Sequence, residues 1–345
     1  LDIVDLRSMK LIAILCSAAT ALAAAVGAAV AAPPTASDKP THWHMATEYP
    51  ANTMPGEGLA EFAKEVKART AGTLDIVASY DGSAGIPSSE IPLAVRDGRL
   101  EAGDAYEGTL AGLNPIFSLS SLPFVVNEVK DAQRLADLAR PLYAEAFEQL
   151  GQHLLYVTPW PASGLWSTKP IANTEVLRTL SIRTYDATSA KVMQTAGARA
   201  QALSFAEVPA GLGNGSINAV LSSGDGAAGQ KLLKWLPYFT TIEYAMPLSF
   251  ATVNKKAYAA LSPQQKRAVD QAAEITEFRQ WLRLQHRAAQ NRQHLQELHV
   301  AVDQPSAPLR ESLQIAARQA IVEWERTAGP EATAMLEQFR HRANP

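Results

Sequence analysis

Cysteine is nearly absent: Cys16 is the only one in 345 residues, and it falls in an Ala-rich stretch near the N-terminus. For the rest of the chain, disulfides, zinc–thiolate sites and thiol catalysis are excluded. A surplus of charge of either sign is missing as well. The 31 basic and 34 acidic residues leave a net charge of −3, which gives no reason to expect nucleic acid or an anionic membrane surface as partner. No Gly-x-Ser-x-Gly elbow is present for a serine nucleophile. Gly211-Leu212-Gly213-Asn214-Gly215 mimics a phosphate loop but lacks the lysine and the strand–loop–helix order. The histidines are scattered. His42 and His44 share a strand face without a third ligand, so neither a metal site nor a cofactor is expected.

Long apolar runs are confined to one place. Met9-Lys10 is followed by Leu11-Ile12-Ala13-Ile14-Leu15-Cys16 and then an Ala-rich stretch ending Val30-Ala31-Ala32 before Pro33-Pro34. A basic start, an apolar middle and small residues before the break form the pattern of a secretory signal, with cleavage expected near Ala31 or Ala32. Leu1–Ser8 then precede the true start at Met9. About 20 apolar residues also suffice for a membrane anchor, but Ala and Gly make this run weakly hydrophobic. Residues 13–15 lack the small residue that a lipidated Cys16 requires immediately upstream. An exported chain without disulfides fits a periplasm and is held together by its core alone.

What remains is a 47% apolar chain, long enough for one large or two medium domains. His42–Ala46, Thr73–Ser79 and Leu100–Ala105 read as strands, separated by helices over Gly56–Thr70 and Glu90–Arg96. The order continues with a helix over Val129–Gln149, a strand over His153–Thr158, strand Ser181–Arg183, helix Ala187–Ala196 and strands at Ala200–Leu203 and Ile217–Ser222. Such alternation predicts α/β architecture with mostly parallel sheets. Ser204 and Glu207 have the spacing of a capping box. Gln264–Val300 reads as one polar helix with Val269, Ala272, Ile275, Phe278 and Leu282 on its apolar face. At about 1.5 Å per residue it extends on the order of 55 Å, more than one small domain needs. A last helix, Ala307–Arg340, is expected to break at Gly329-Pro330.

Arg183 is the most informative residue. A guanidinium in the strand-like run Leu180–Tyr185 must find an anion, because an unpaired buried charge is very costly. Asp186 and Glu207 are the acids available for an internal ion pair. The other reading is that Arg183 awaits a carboxylate from outside the protein. A planar two-pronged guanidinium matches a carboxylate in a way that lysine does not.

Phe62-Ala63-Lys64-Glu65-Val66, Leu122-Pro123-Phe124, Ser167-Thr168-Lys169-Pro170-Ile171, Ser181-Ile182-Arg183, Phe205–Ala210 and Val253–Tyr258 occur in an order and spacing that are specific together. Across residues 41–335 the chain resembles the solute-binding proteins of tripartite ATP-independent periplasmic (TRAP) transporters, the DctP family. The resemblance implies a two-lobed periplasmic binding protein with mixed sheets, discontinuous lobes and a long helix spanning both. Residues 1–32 are then the upstream residues and signal, 40–161 with 246–285 lobe I, and 162–245 with 286–345 lobe II. The expected partners are a small carboxylate ligand and the transporter's membrane subunits, with the receptor itself a monomer.

On the same resemblance, Arg183 is the arginine that grips the ligand carboxylate, Ser222 donates a hydrogen bond to it, and Phe205 packs an aromatic ring on the ligand. Tyr185 shares the strand face of Arg183, and Trp160, between two prolines, suits a pocket wall. Tyr106 and Tyr49 follow strand ends, where open sheets bind ligands. Two departures bear on specificity. Pro159–Trp166 carries no second arginine, and Val220-Leu221-Ser222-Ser223-Gly224 stands where relatives that bind acidic sugars have Gln-Glu-Asn. One cation fewer and two tryptophans more point to a monocarboxylate with an apolar or aromatic body. An exported α/β enzyme, or a sensor feeding a membrane kinase, are the competing readings.

Overall fold

The computed structural model describes residues 40–343. The signal segment and Cys16 lie outside the described residues. The chain first runs β1 (Thr41–Thr47), α1 (Met54–Arg69), β2 (Leu74–Ser79), α2 (Ile91–Arg96), β3 (Ala102–Tyr106), α3 (Val129–Gln149) and β4 (Gln152–Pro159). It then forms β5 (Gly164–Ser167), α4 (Thr174–Arg178), β6 (Ser181–Thr184), α5 (Ala187–Thr195), β7 (Arg199–Ala202), α6 (Val208–Gly213), β8 (Ala219–Ser222), α7 (Gly226–Leu233) and β9 (Tyr238–Thr240). It returns through β10 (Leu248–Asn254), α8 (Lys255–Ala259) and α9 (Pro263–Glu297), and ends with β11 (Ala301–Asp303), α10 (Ala307–Thr327) and α11 (Pro330–Ala343).

Two mixed sheets result, one per lobe, ordered β2-β1-β3-β10-β4 and β11-β9-β5-β8-β6-β7. The expected parallel pairs are present, β1 with β2 and β3, and β6 with β7 and β8. The sheets are nevertheless less parallel than the alternation predicts. β10 runs antiparallel between β3 and β4, and β5 runs antiparallel between β8 and β9. Topology requires this. The chain crosses between sheets on two short straps, Trp160–Ser163 and Thr241–Pro247, so a strand that re-enters at the end where β3 and β4 finish must run back along them. The straps are laced together: Trp160 N donates to Pro247 O (2.8 Å), Ser163 N to Ala245 O (2.9 Å) and Tyr244 N to Ser163 O (2.9 Å).

The third link is α9. Ser262 starts it with a capping box, its Oγ accepting from Gln265 N (3.2 Å) while Gln265 Oε1 accepts from Ser262 N (3.1 Å), and Pro263 stands at the first turn. The apolar face differs from the expected one. Phe278 and Leu282 are 61% and 48% exposed, whereas Val269, Ala272, Ala273, Gln280, Trp281 and Leu284 are buried. Gln280 is tolerated inside because its Nε2 donates to Met54 O at the start of α1. α9 lies on α1, with Glu57, Glu61 and Glu65 of one helix facing Arg279, Arg283 and Arg287 of the other. Arg279 pairs with Glu61 and Glu65, Arg283 with Glu57 (3.3 Å) and Glu61, and Arg287 with Glu57 (3.0 Å).

Helix α11 packs on α3 in the first lobe. Trp324, Leu336 and Phe339 share a buried cluster with Tyr143, Phe147 and Phe250, and Arg134 of α3 donates to Phe339 O (3.1 Å) with its guanidinium over that ring. We therefore draw lobe I as 40–161 and 246–285 with the chain from Trp324 onward added, which removes that segment from the 286–345 assigned to lobe II by the sequence. The apolar residues of α11 carry no label for which lobe they cover.

Candidate functional site

The carboxyl ends of β1, β3 and β4 face those of β6 and β8 across a cleft. Tyr49 follows β1, Tyr106 ends β3, and Trp160 opens the strap after β4. Opposite them stand Arg183 and Tyr185 at the end of β6, Phe205 after β7 and Ser222 at the end of β8. All seven residues singled out by sequence line one cavity. Ser163, Leu221, Ser223, Ala228 and Pro247 complete its wall.

Arg183 is 4% exposed and makes no ion pair among the described residues. Its Nε donates to Leu203 O (2.8 Å) and its Nη1 to Leu221 O (3.4 Å), both neutral carbonyls. Both acids that might have paired with it are engaged elsewhere. Asp186 caps α5, its Oδ1 accepting from Ser189 N (2.7 Å) and Oγ (2.6 Å). Glu207 Oε2 accepts from Ser204 N and Oγ (2.8 Å each) in the capping box. Burial alone pushes the Arg183 pKa down, yet arginine stays charged. The guanidinium is thus fixed by two carbonyls, stacked 5.9 Å from the Phe205 ring centroid, and short of one anion.

The walls are aromatic and neutral. Tyr49 meets Trp160 edge to face (4.7 Å between centroids), and Tyr106 meets Tyr185 likewise (5.3 Å). Trp160 Nε1 is spent on Ser249 Oγ (3.0 Å), so this residue presents only its ring. The hydroxyls of Tyr106 and Tyr185 are buried without a partner, and burial pushes both phenols well above their ordinary range. They are neutral hydroxyls with free hydrogen-bonding capacity. Ser222 Oγ accepts from Gly224 N (3.2 Å), which leaves its proton to donate. No Asp, Glu, Lys or His lines the cavity. Glu107 and Asp186 lie behind it, and burial raises the pKa of each. Trp166 is buried outside the cavity against Phe239 (5.0 Å).

Glu48 stands beside Tyr49 at the end of β1. Its Oε2 accepts from Ser88 N (2.8 Å) in its own lobe and its Oε1 from Ala206 N (2.9 Å) in the other. A second cross-lobe contact went unseen. Asp225, fully buried between β8 and α7, accepts from Met54 N (2.7 Å), Arg287 Nε (2.6 Å) and Asn291 Nδ2 (2.9 Å). Each contact joins residues far apart in sequence, and no local pattern marks them. Among the described residues no group of His, Cys, Asp or Glu is arranged to hold a metal ion.

The family model described as bacterial extracellular solute-binding protein, family 7 (DctP), matches residues 45–327. Two solved structures of Bordetella pertussis extracytoplasmic solute receptors binding pyroglutamic acid are similar. The first is 27% identical with a TM-score of 0.83, covering 87% of this chain and 99% of that one. The second is 26% identical with a TM-score of 0.82, covering 87% and 100%. A Chromohalobacter salexigens solute-binding protein is 23% identical over 238 residues, 67% of this chain and 70% of that protein.

Proposed function

We propose that this chain, which belongs to the DctP family of bacterial extracellular solute-binding proteins, is the periplasmic receptor of a TRAP transporter for a small monocarboxylate. Family members and the matched structures are solute receptors and not enzymes. The observation that carries the reading is the buried Arg183 guanidinium, held by Leu203 O and Leu221 O while Asp186 and Glu207 are bonded elsewhere.

The cavity's chemistry narrows the solute. One cation matches one carboxylate. A second carboxylate would be buried without a counter-charge, and so would a free ammonium group, since no acid lines the wall. Aromatic faces at Tyr49, Trp160 and Phe205 suit an apolar or ring-shaped body. Pyroglutamate, which the Bordetella receptors bind, has one carboxylate and a neutral lactam, and is the first solute to try. Ligand contacts from both lobes favour the closed form over the open one.

Thermal-shift measurements with pyroglutamate, glutamate, glucuronate and aryl or alkyl monocarboxylates test this, because a ligand that binds the folded state raises Tm by mass action. Monocarboxylates without an ammonium group should raise Tm, and Arg183→Ala should abolish the rise without unfolding the ligand-free protein. Preference for glutamate, or an unchanged response in Arg183→Ala, would refute the assignment, and preference for glucuronate, a monocarboxylate with a polyhydroxyl body, would refute the apolar or ring-shaped body.

A further inference from the structure

Beside the ligand cavity lies a second, partly open chamber. The two share Ser163 and Ser223 as a common wall. The chamber's lining is mixed: Pro161, Phe239, Leu295 and Val302 give it an apolar surface, and Thr241, Asn291 and the exposed Glu243 and Arg292 add polar groups. Its walls come from both straps, at Pro161–Ser163 and at Thr241 and Glu243, the edges of β5 and β9, the turn after β8, the last turns of α9 and β11. The ligand cavity differs, drawing Tyr49, Tyr106 and Trp160 from the first lobe and Arg183, Tyr185 and Ser222 from the second.

We infer that this chamber takes the distal apolar chain of a monocarboxylate whose head group is held at Arg183, the chain passing between Ser163 and Ser223. The inference rests on the reading of Arg183 as the carboxylate site and extends it to a ligand class: acids with an unbranched apolar substituent longer than pyroglutamate carries. Two small side chains, Ser163 and Ser223, are common to the cation-bearing cavity and to a chamber that offers the apolar side chains of Phe239, Leu295 and Val302, which is an arrangement that suits an amphiphilic acid.

Calorimetric titration of the full chain with pyroglutamate, butanoate, hexanoate and octanoate tests the inference. Affinity should climb along the fatty-acid series by about fourfold per methylene buried, with one acid bound per chain. Ala288→Trp, on an exposed position of α9 at the chamber and outside the head-group cavity, should keep the butanoate affinity and lose the gain for octanoate. Thr241→Trp fills the chamber from the opposite wall and should do the same. Octanoate no tighter than butanoate, gains that survive both tryptophans or Arg183→Ala, or a second acid bound per chain would overturn the inference while the head-group reading stands. If neither pyroglutamate nor butanoate binds, the head-group reading fails and this inference with it.

Discussion

Arg183 illustrates how a residue's value depends on what its neighbours already hold. Two carbonyls fix the plane of the guanidinium, so the remaining N–H groups are aimed before any solute arrives, and little side-chain entropy is lost on binding. Arg183→Lys keeps the charge but not the fork or the Leu203 contact. Affinity for a monocarboxylate should fall by about 10- to 100-fold, read by calorimetry, in line with about 1.5–3 kcal/mol for a charge-assisted bond. Asp104 gives a second residue-scale prediction. It is fully buried in β3, with Oδ1 accepting from Thr47 Oγ1 (3.1 Å) and Oδ2 unpartnered, and burial pushes its pKa from 3.8 up to about 7. The raised folded-state pKa means that its contribution to stability is full below about pH 3.8 and is lost as pH rises through about 7. Asp104→Asn should raise Tm at pH 8 with little change at pH 4. A Tm–pH curve equal to that of the parent protein would remove Asp104 as a source of the slope. Glu107 and Asp186 act with the same sign, so part of the slope should persist.

Among the elements, the turn from β8 to α7 is the most constrained. Gly224 has a φ of +68°, and a Cβ there would strike the Trp166 ring. Gly224→Ala should cost about 1–3 kcal/mol in urea unfolding, and a loss below 0.5 kcal/mol would contradict that account. The sequence revealed β1 to β4, β6 to β8, α1 to α3, α5, α9 and the broken last helix, some by one-sided apolar patterns and others by turn or cap residues, as the Asp97-Gly98 turn marked β3, which is buried throughout. β10 escaped because every residue of Leu248–Asn254 is buried, so no alternation distinguishes strand from other buried chain. β5 is short and equally buried. The register of α9 was misjudged because a hydrogen-bonded Gln280 replaces an apolar residue inside while Phe278 lies outside. Of the cavity residues, Arg183, Phe205 and Ser222 were legible through the family resemblance, and Tyr49 and Tyr106 because strand ends are where open sheets present side chains. Glu48 and Asp225 were not, because their partners are set by the closed arrangement of the lobes.

At the scale of the molecule, two straps and the helices α9 and α10 join the lobes, and two acidic side chains reach between them. Glu48→Gln can accept at only one of its two positions, so either Ser88 N or Ala206 N loses its partner. Solute affinity should drop by roughly tenfold, since one charge-assisted hydrogen bond of the closed form is lost, and small-angle scattering should show a larger radius at equal solute concentration. Unchanged affinity and radius would mean that the Ala206 contact does not favour closure. The α1–α9 rungs carry a mechanical consequence. A rod clamped along Arg279, Arg283 and Arg287 is a lever with its fulcrum at the last clamp, and the ten residues from Ala288 to Glu297 are the free arm. Screening acts most on the Arg279 rung, 40% exposed, and least on Arg287, 11% exposed, so raising ionic strength should loosen the rod toward its Pro263 end while the fulcrum at Arg287 holds, without touching a single group that faces the solute.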